Sequence, residues 1–198
     1  MVSVPITTVP VIPAGSLSAT TQPSLSSTDG ELLLRPWDVR DAAAVYTAYQ
    51  DPAIRHWHAR HMSSLDEARE WIEVADRSWQ QEQRAQWAIV RAGSGEVLGR
   101  TALGRFDLHQ GLARCGYWVL PEARGTGVAP RALAAVADWA LRVAEFHRVD
   151  LEHSVRNEAS CRVALKAGFA LEGTRRSVAL HTDGWHDMHQ HARVHGDP

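Results

Sequence analysis

The sequence predicts an α/β or α+β fold in which helices cover the faces of one mixed sheet. Its 198 residues suit a single domain, and 44% hydrophobic with 22% charged residues is ordinary globular usage. Segments with the two-residue period of strands alternate with segments of helical period. The predicted order is strand, helix, helix, three strands, helix, strand, helix and two strands, which requires a mixed sheet with helices on its faces.

The composition indicates which binding partners and which cellular compartment to expect. Lys and Arg number 21 against 23 Asp and Glu, a formal net charge of −2, so we expect no nucleic-acid partner. No apolar run reaches the roughly 18 residues of a membrane span, so we expect no membrane partner. Two cysteines cannot build a disulfide framework, which favours a cytoplasmic protein.

The composition of the chain changes at Asp29, its first charged side chain. Residues 1–28 carry no charge and are rich in Ser, Thr and Pro, so we expect a disordered, flexible N-terminal tail. Residues 29–198 then form the single domain. Its first element is a strand over residues 31–37, which stops near Pro36.

Two helices follow this strand. Asp38 can cap a helix that runs to Gln50, where Asp51-Pro52 ends it. A capping-box pattern from Ser64 to Glu67 opens the next helix, which runs to Trp79. The stretch between the two, residues 55–60, is rich in Arg and His around Trp57 and is expected to be a loop.

The second half of the chain alternates strands and helices. Strands are predicted over residues 86–91, 96–106, 112–120, 147–155, 169–176 and 185–194. Apolar residues at helical spacing predict a helix over residues 130–144, and a shorter helix is predicted over residues 157–167.

The most informative stretch, residues 121–131, lies between a predicted strand and a predicted helix. Its glycines let backbone N–H groups turn toward one point, and the helix N-terminus adds partial positive charge. Arg124 adds a forked donor suited to phosphate. The pattern predicts an anion cradle, with a tight strand-to-helix turn as the equal alternative.

A second signal lies about thirty residues further on. Asn157 and Ser160 open the next helix, and Lys166, Gly168 and Phe169 lead out of it. Taken singly, Asn157 is a helix cap and Gly168 a left-handed residue past the helix end. The two motifs are more informative together, because they follow the cradle in a fixed order and spacing.

Three motifs in this order closely resemble those of the GNAT superfamily of acetyl-CoA-dependent N-acetyltransferases. They are Arg124-x-x-Gly127-x-Ala129, Asn157-x-x-Ser160 and Lys166-x-Gly168-Phe169. Further stretches resemble its RimJ/RimL-type branch, and the resemblance spans residues 31–194. They are Leu34-Arg35-Pro36-Trp37, Cys115-Gly-Tyr-Trp118, Leu171-Glu-Gly173 and Gly184-Trp185-His-Asp-Met188.

The resemblance implies a mixed, mostly antiparallel seven-stranded sheet, splayed between strands 4 and 5 to admit acetyl-CoA. Backbone amides near Trp118 would polarise the acetyl carbonyl. Ser160 is the catalytic candidate, donating to the departing thiolate, with a capping or packing role as the alternative, and no metal is expected. The cofactor-binding residues implied are Val119, Leu120, Arg124, Gly125, Thr126, Gly127, Val128, Ala129 and Asn157.

Other polar residues leave alternatives open. Many members of the branch have Glu where Arg114 stands, so Asp107, Glu152 and His153 are the candidate bases, each with a solvated-strand alternative. Four histidines near the C-terminus share no spacing with a carboxylate or Cys that completes a recognisable zinc site. They are His186, His189, His191 and His195.

The resulting prediction is transfer of an acetyl group from acetyl-CoA to a primary amine by direct attack in a ternary complex. Holding amine and thioester together supplies much of the rate. The acceptor is a protein N-terminus or a small-molecule amine, and a homodimer is left open. The alternative is a catalytically silent acyl-CoA-binding or sensing module.

Overall fold

The computed structural model describes residues 8–197, which form one sheet of eight strands in the order β1-β2-β3-β4-β5-β6-β8-β7. The strands are β1 (Leu25–Ser26), β2 (Leu32–Pro36), β3 (Arg84–Arg91), β4 (Val97–Asp107), β5 (Leu112–Val119), β6 (Arg148–Ser154), β7 (Ala170–His181) and β8 (Gly184–Val194). The helices are α1 (Ala42–Ala48), α2 (Pro52–His58), α3 (Leu65–Gln80), α4 (Val128–Arg142) and α5 (Glu158–Lys166).

The predicted fold class is confirmed. Of the described strand pairs, all are antiparallel except β5 with β6. One apolar core lies between the sheet and α4, whose buried face includes Leu133, Val136 and Ala140. A second core gathers α1, α2 and α3 around Trp118 on the other face of the sheet.

The predicted count of seven strands is wrong by one, because the N-terminal segment supplies β1. Leu25 and Ser26 pair with Leu34 and Leu33 of β2. This edge strand shifts the numbering, so the expected splay between strands 4 and 5 falls here between β5 and β6.

The expectation of a flexible tail is wrong for residues 8–28, which pack on the domain; residues 1–7 lie outside the described part of the chain. Ile12 and Leu17 are buried in the main core. The Glu82 carboxylate accepts hydrogen bonds from the N–H groups of Gly15, at 2.6 Å, and Leu17, at 2.8 Å. Such irregular packing has no period that a sequence can show.

The indoles of two buried tryptophans hold the rest of this segment. Trp79 Nε1 donates to the carbonyl of Thr20 at 2.9 Å, and Trp87 Nε1 donates to that of Pro23 at 2.7 Å. A buried indole N–H needs an acceptor. The N-terminal segment therefore completes the core instead of trailing from it.

Part of the loop predicted between the first two helices is itself a helix, α2. Asp51 Oδ1 accepts from the N–H of Ile54 at 2.8 Å, and Pro52 occupies the first turn. Asp-Pro therefore ends one helix and caps the next. As a result Trp57 and His58 stand on a helix.

Strands β5 and β6 part at the centre of the sheet. Their parallel pairing runs from Leu112 with Arg148 to Cys115 with Leu151 and ends there, although both strands continue. The predicted splay is present. Among the described residues, no helix combines the length and apolar character that crossing a membrane requires.

Candidate active site

A cleft of about 640 Å³ opens where β5 and β6 part. Its walls come from α2, β5, the turn before α4 with the start of that helix, β6 and α5, and β7 and β8 add one residue each. The predicted site residues that line it are Val119, Arg124, Gly125, Gly127, Val128, Ala129, Asn157 and Ser160. The fold thus brings residues from the two motifs together at one opening.

The turn before α4 presents free backbone donors to the cleft. Gly125 and Gly127 both have φ of +80°, a left-handed conformation that favours glycine. Within the described chain, no protein acceptor meets the N–H groups of residues 125–129, and the helical ladder begins with Arg131 N–H donating to Gly127 O. Free donors at the N-terminus of a 15-residue helix could hold an anion, as the predicted cradle requires.

Arg124 stands beside this cradle but already has partners. Its Nη2 lies 2.6 Å from Asp51 Oδ1, and its Nε donates to Val119 O at 3.1 Å. The ion pair ties the N-terminus of α2 to the cradle. The Thr126 side chain turns away, since Oγ1 donates to Ala123 O and the residue does not line the cleft.

The backbone of β5 offers one of the two predicted amides. Leu120 N–H donates to Leu98 O at 2.9 Å within the sheet, and Leu120 does not line the cleft, so this predicted contact is wrong. Hydrogen bonds of an antiparallel strand alternate in direction, so the N–H of Val119 faces the gap toward β6. Val119 is therefore the donor that remains.

Ser160 is buried in the first turn of α5, with its Oγ 2.9 Å from the hydroxyl of Tyr117. Burial raises the pKa of Tyr117, so its phenol is protonated at neutral pH. Asn157 Oδ1 accepts from the N–H of Ser160 at 3.1 Å, which makes Asn157 the helix cap. The Ser160 hydroxyl itself is not used in capping.

Sequence reasoning missed Tyr117 as a site residue. Alternation along β5 places it on the same side as Cys115 and Val119, which also line the cleft. That alternation was the available signal. The partner on α5 is 43 positions away in the sequence, so the hydroxyl pair itself was not visible.

The three candidate bases lie in different surroundings. Asp107 accepts hydrogen bonds from Gln110 in the hairpin after β4 and does not line the cleft. Glu152 lines it, but its carboxylate lies 2.8 Å from Arg114 and 2.8 Å from Arg175. His153 lines it and is buried, which lowers its pKa.

The far end of the cleft is lined by Trp57 and His58 of α2 and by His181 of β7. Burial, with a smaller effect from the charge of Arg100, lowers the pKa of His58 to about 4. His58 is therefore neutral at physiological pH. His181 stacks on His186, with ring centroids 4.2 Å apart.

The C-terminal histidines divide into separate environments. His186 meets Ser154 Oγ at 2.8 Å and Asp183 at 2.9 Å, and His195 meets Leu141 O at 3.0 Å. His189 and His191 instead lie together with His153.

A mixed sheet that opens beside a turn with free N–H donors agrees with the architecture that the resemblance implies for an acyltransferase. Residues 31–170 match the family described as "Acetyltransferase (GNAT) domain". The chain belongs to this family of acetyltransferases, and its resemblance to the RimJ/RimL-type branch is supported by the relatives and structures it matches.

Two curated bacterial proteins are similar in sequence. An uncharacterized N-acetyltransferase, YoaA of Bacillus subtilis (strain 168), is 27% identical over 146 residues, covering 73% of this chain and 82% of that protein. The ribosomal-protein-serine acetyltransferase of Escherichia coli (strain K12) is 29% identical over 99 residues, covering 50% of this chain and 55% of that protein.

A solved structure shares the fold. RimJ of Mycobacterium smegmatis, in complex with CoA-disulfide, superposes with a TM-score of 0.75 at 24% identity, covering 87% of this chain and 86% of that one.

Proposed function

We propose that this acetyltransferase moves the acetyl group of acetyl-CoA to the primary amine of a peptide or protein N-terminus, by direct attack in a ternary complex. The observation that carries the proposal is the cleft, which has free backbone donors at one end and the Ser160–Tyr117 hydroxyl pair at the parted strands. Acetyl-CoA supplies an activated acyl group on a thiol that can leave.

The cradle fits a pyrophosphate. The N–H groups of residues 125–129 have no protein acceptor in the described structure, and they stand at the positive end of α4. Arg124 places a guanidinium beside them, paired with Asp51. Pro130 offers no N–H, so the donors end at Ala129.

Ser160 is suited to donate its proton to the departing thiolate. When the Tyr117 hydroxyl donates to Ser160 Oγ, the proton of Ser160 is free to point into the cleft. The N–H of Val119 faces the same gap and would polarise the acetyl carbonyl. The attacking amine must be neutral, because an ammonium group has no lone pair.

The charge of the cleft favours a peptide over a polyamine. Of the described residues that line it, Glu152 is the only acid, and Arg114 and Arg175 neutralise it. A polyamine needs carboxylates for its several positive charges. The indole N–H of Trp57, which lines the cleft, suits a peptide carbonyl.

The test measures release of free CoA from acetyl-CoA with a panel of short peptides bearing different N-terminal residues. We expect turnover with free N-termini and none with the same peptides N-acetylated in advance, which are the matched control. Polyamines are expected to react at least roughly tenfold more slowly in kcat/KM. Faster turnover of polyamines than of peptides would overturn the proposed peptide acceptor. Binding of acetyl-CoA without turnover of any amine would overturn the proposed acetyl transfer.

A further inference from the structure

Four side chains from three elements converge beside the cleft. His153 lies on β6, Cys161 on α5, and His189 and His191 on β8. One nitrogen or sulfur atom of each lies within 4.8 Å of the corresponding atom of all the others. These four residues form the His–Cys cluster. His153 also lines the cleft, but the proposed reaction uses none of the four.

The hydrogen bonds of two rings fix their tautomers. His153 Nδ1 lies 2.8 Å from Ser154 O, and His191 Nδ1 lies 3.3 Å from Phe169 O. A carbonyl oxygen only accepts, so each Nδ1 carries the hydrogen. In the neutral rings each Nε2 then holds a lone pair.

Those two lone pairs face each other, since the Nε2 atoms of His153 and His191 are 3.1 Å apart. Two acceptors at this distance repel unless a proton or a cation lies between them. A cation that accepts nitrogen ligands relieves the repulsion without protonating a buried ring.

The other two members of the cluster point to the same ligand. Nδ1 of His189 is buried and has no hydrogen-bond partner among the described residues. Buried ring nitrogens are normally satisfied. Cys161 Sγ lies 3.9 Å from His191 Nε2 and adds a soft donor. The four residues of the cluster together provide three imidazoles and one thiol.

The geometry points to a structural zinc site formed by His153, Cys161, His189 and His191. Tetrahedral zinc with ordinary bond lengths places two nitrogens about 3.3 Å apart, and a nitrogen and a sulfur about 3.6 Å apart. The 3.1 Å and 3.9 Å separations lie close to these values. The carbonyls of Ser154 and Phe169 supply the second shell that orients ligating histidines.

The site was not visible in the sequence, where the His spacing alone indicated no metal. Cys161 comes from α5 and lies 28 to 30 positions before the β8 histidines, whereas zinc motifs are recognised by short spacings. Cys161 directly follows Ser160. The metal would therefore anchor the first turns of α5 to β6 and β8.

The first experiment measures metal on the full-length protein. Zinc content is determined by mass spectrometry after purification without chelator, and the chelated protein is then titrated with Zn²⁺ and with Co²⁺. We expect about one zinc per chain, a Tm that rises with Zn²⁺, and a near-ultraviolet thiolate-to-cobalt charge-transfer band. Absence of binding together with an unchanged Tm would overturn the proposal.

Variants then test the ligands. Cys161→Ser is expected to abolish the charge-transfer band, and His189→Gln to weaken zinc binding by more than about tenfold. Cys115→Ser and His195→Gln are the matched controls, because both residues lie outside the cluster and should leave binding intact. Should Cys161→Ser keep the band, or His195→Gln remove it, the ligand set is wrong. The wild-type titration decides the proposal even if a ligand variant does not fold.

Discussion

The hydroxyl of Ser160 is free for chemistry because Asn157 supplies the cap of α5. Ser160→Ala is expected to lower kcat about 100-fold, the lower end for loss of a general acid, with acetyl-CoA affinity retained. Stability should fall by only about 0.5–1.5 kcal/mol, for the lost hydrogen bond to Tyr117. Steady-state kinetics, calorimetric titration and thermal melts measure the three quantities.

Asn157→Ala is the matched control, since it removes the cap one turn away and should cost about 0.5–2 kcal/mol of stability with weaker cofactor binding. Tyr117→Phe keeps the ring and removes the donor to Ser160. A Ser160→Ala enzyme with full kcat at saturating substrate would end its catalytic assignment.

A second residue-scale prediction concerns His58, whose pKa falls from 6.5 to about 4, mainly through burial. Between pH 4 and pH 6.5 the unfolded chain binds more protons than the folded one, so the free energy of unfolding rises with pH. The contribution of His58 to stability is fully present above pH 6.5. At pH 5 the loss from this ring is about 2 kcal/mol or less. Burial acts in the same direction on His153 and His191.

We expect His58→Asn to flatten the decline of Tm between pH 7 and pH 5, measured against wild type in matched buffers. His195→Gln is the control, because its Nδ1 bonds to Leu141 O and neither residue lines the cleft. Equal slopes for His58→Asn and wild type would contradict the assignment.

At the scale of elements, the contact between α2 and the cradle separates two roles of Arg124. Arg124→Ala should weaken acetyl-CoA binding by about 1–3 kcal/mol, the range for a hydrogen bond to a charged group. Asp51→Asn is the control: asparagine still caps α2, while the 2.6 Å ion pair with Arg124 is lost. If Arg124 acts on phosphate, Asp51→Asn leaves acetyl-CoA affinity equal to or tighter than that of wild type.

Calorimetric titration of both variants gives the answer. A Kd that weakens equally in Arg124→Ala and Asp51→Asn would mean that Arg124 only holds α2 in place.

Across the fold as a whole, the N-terminal segment is part of the core. Deleting residues 1–28 removes Ile12 and Leu17, each worth about 1.5–3 kcal/mol when fully buried. It also leaves the indole N–H groups of Trp79 and Trp87 without their acceptors. We expect a loss of several kcal/mol of stability, seen as a much lower Tm, or no folded protein.

Ile12→Ala and Leu17→Ala test the same contacts in the intact chain, and each should lower stability by about 2–5 kcal/mol. Val9→Ala is the control, since Val9 is 86% exposed. A truncated protein that melts at the wild-type temperature would show that the packing of residues 8–28 adds nothing.

The fold class, the family and most of the element order could be predicted from the sequence, because strand and helix periods and turn residues are local signals. The prediction missed β1 and α2. The helix of Val128–Arg142 and the strand of Leu112–Val119 lie within two residues of their predicted bounds at each end. Three features became visible only in the folded chain: residues 8–28 complete the core, Tyr117 contacts Ser160, and Cys161 lies beside three histidines. Each of these contacts joins residues far apart in the chain, where no period or spacing links them. Their positions are set by how the sheet and helices pack.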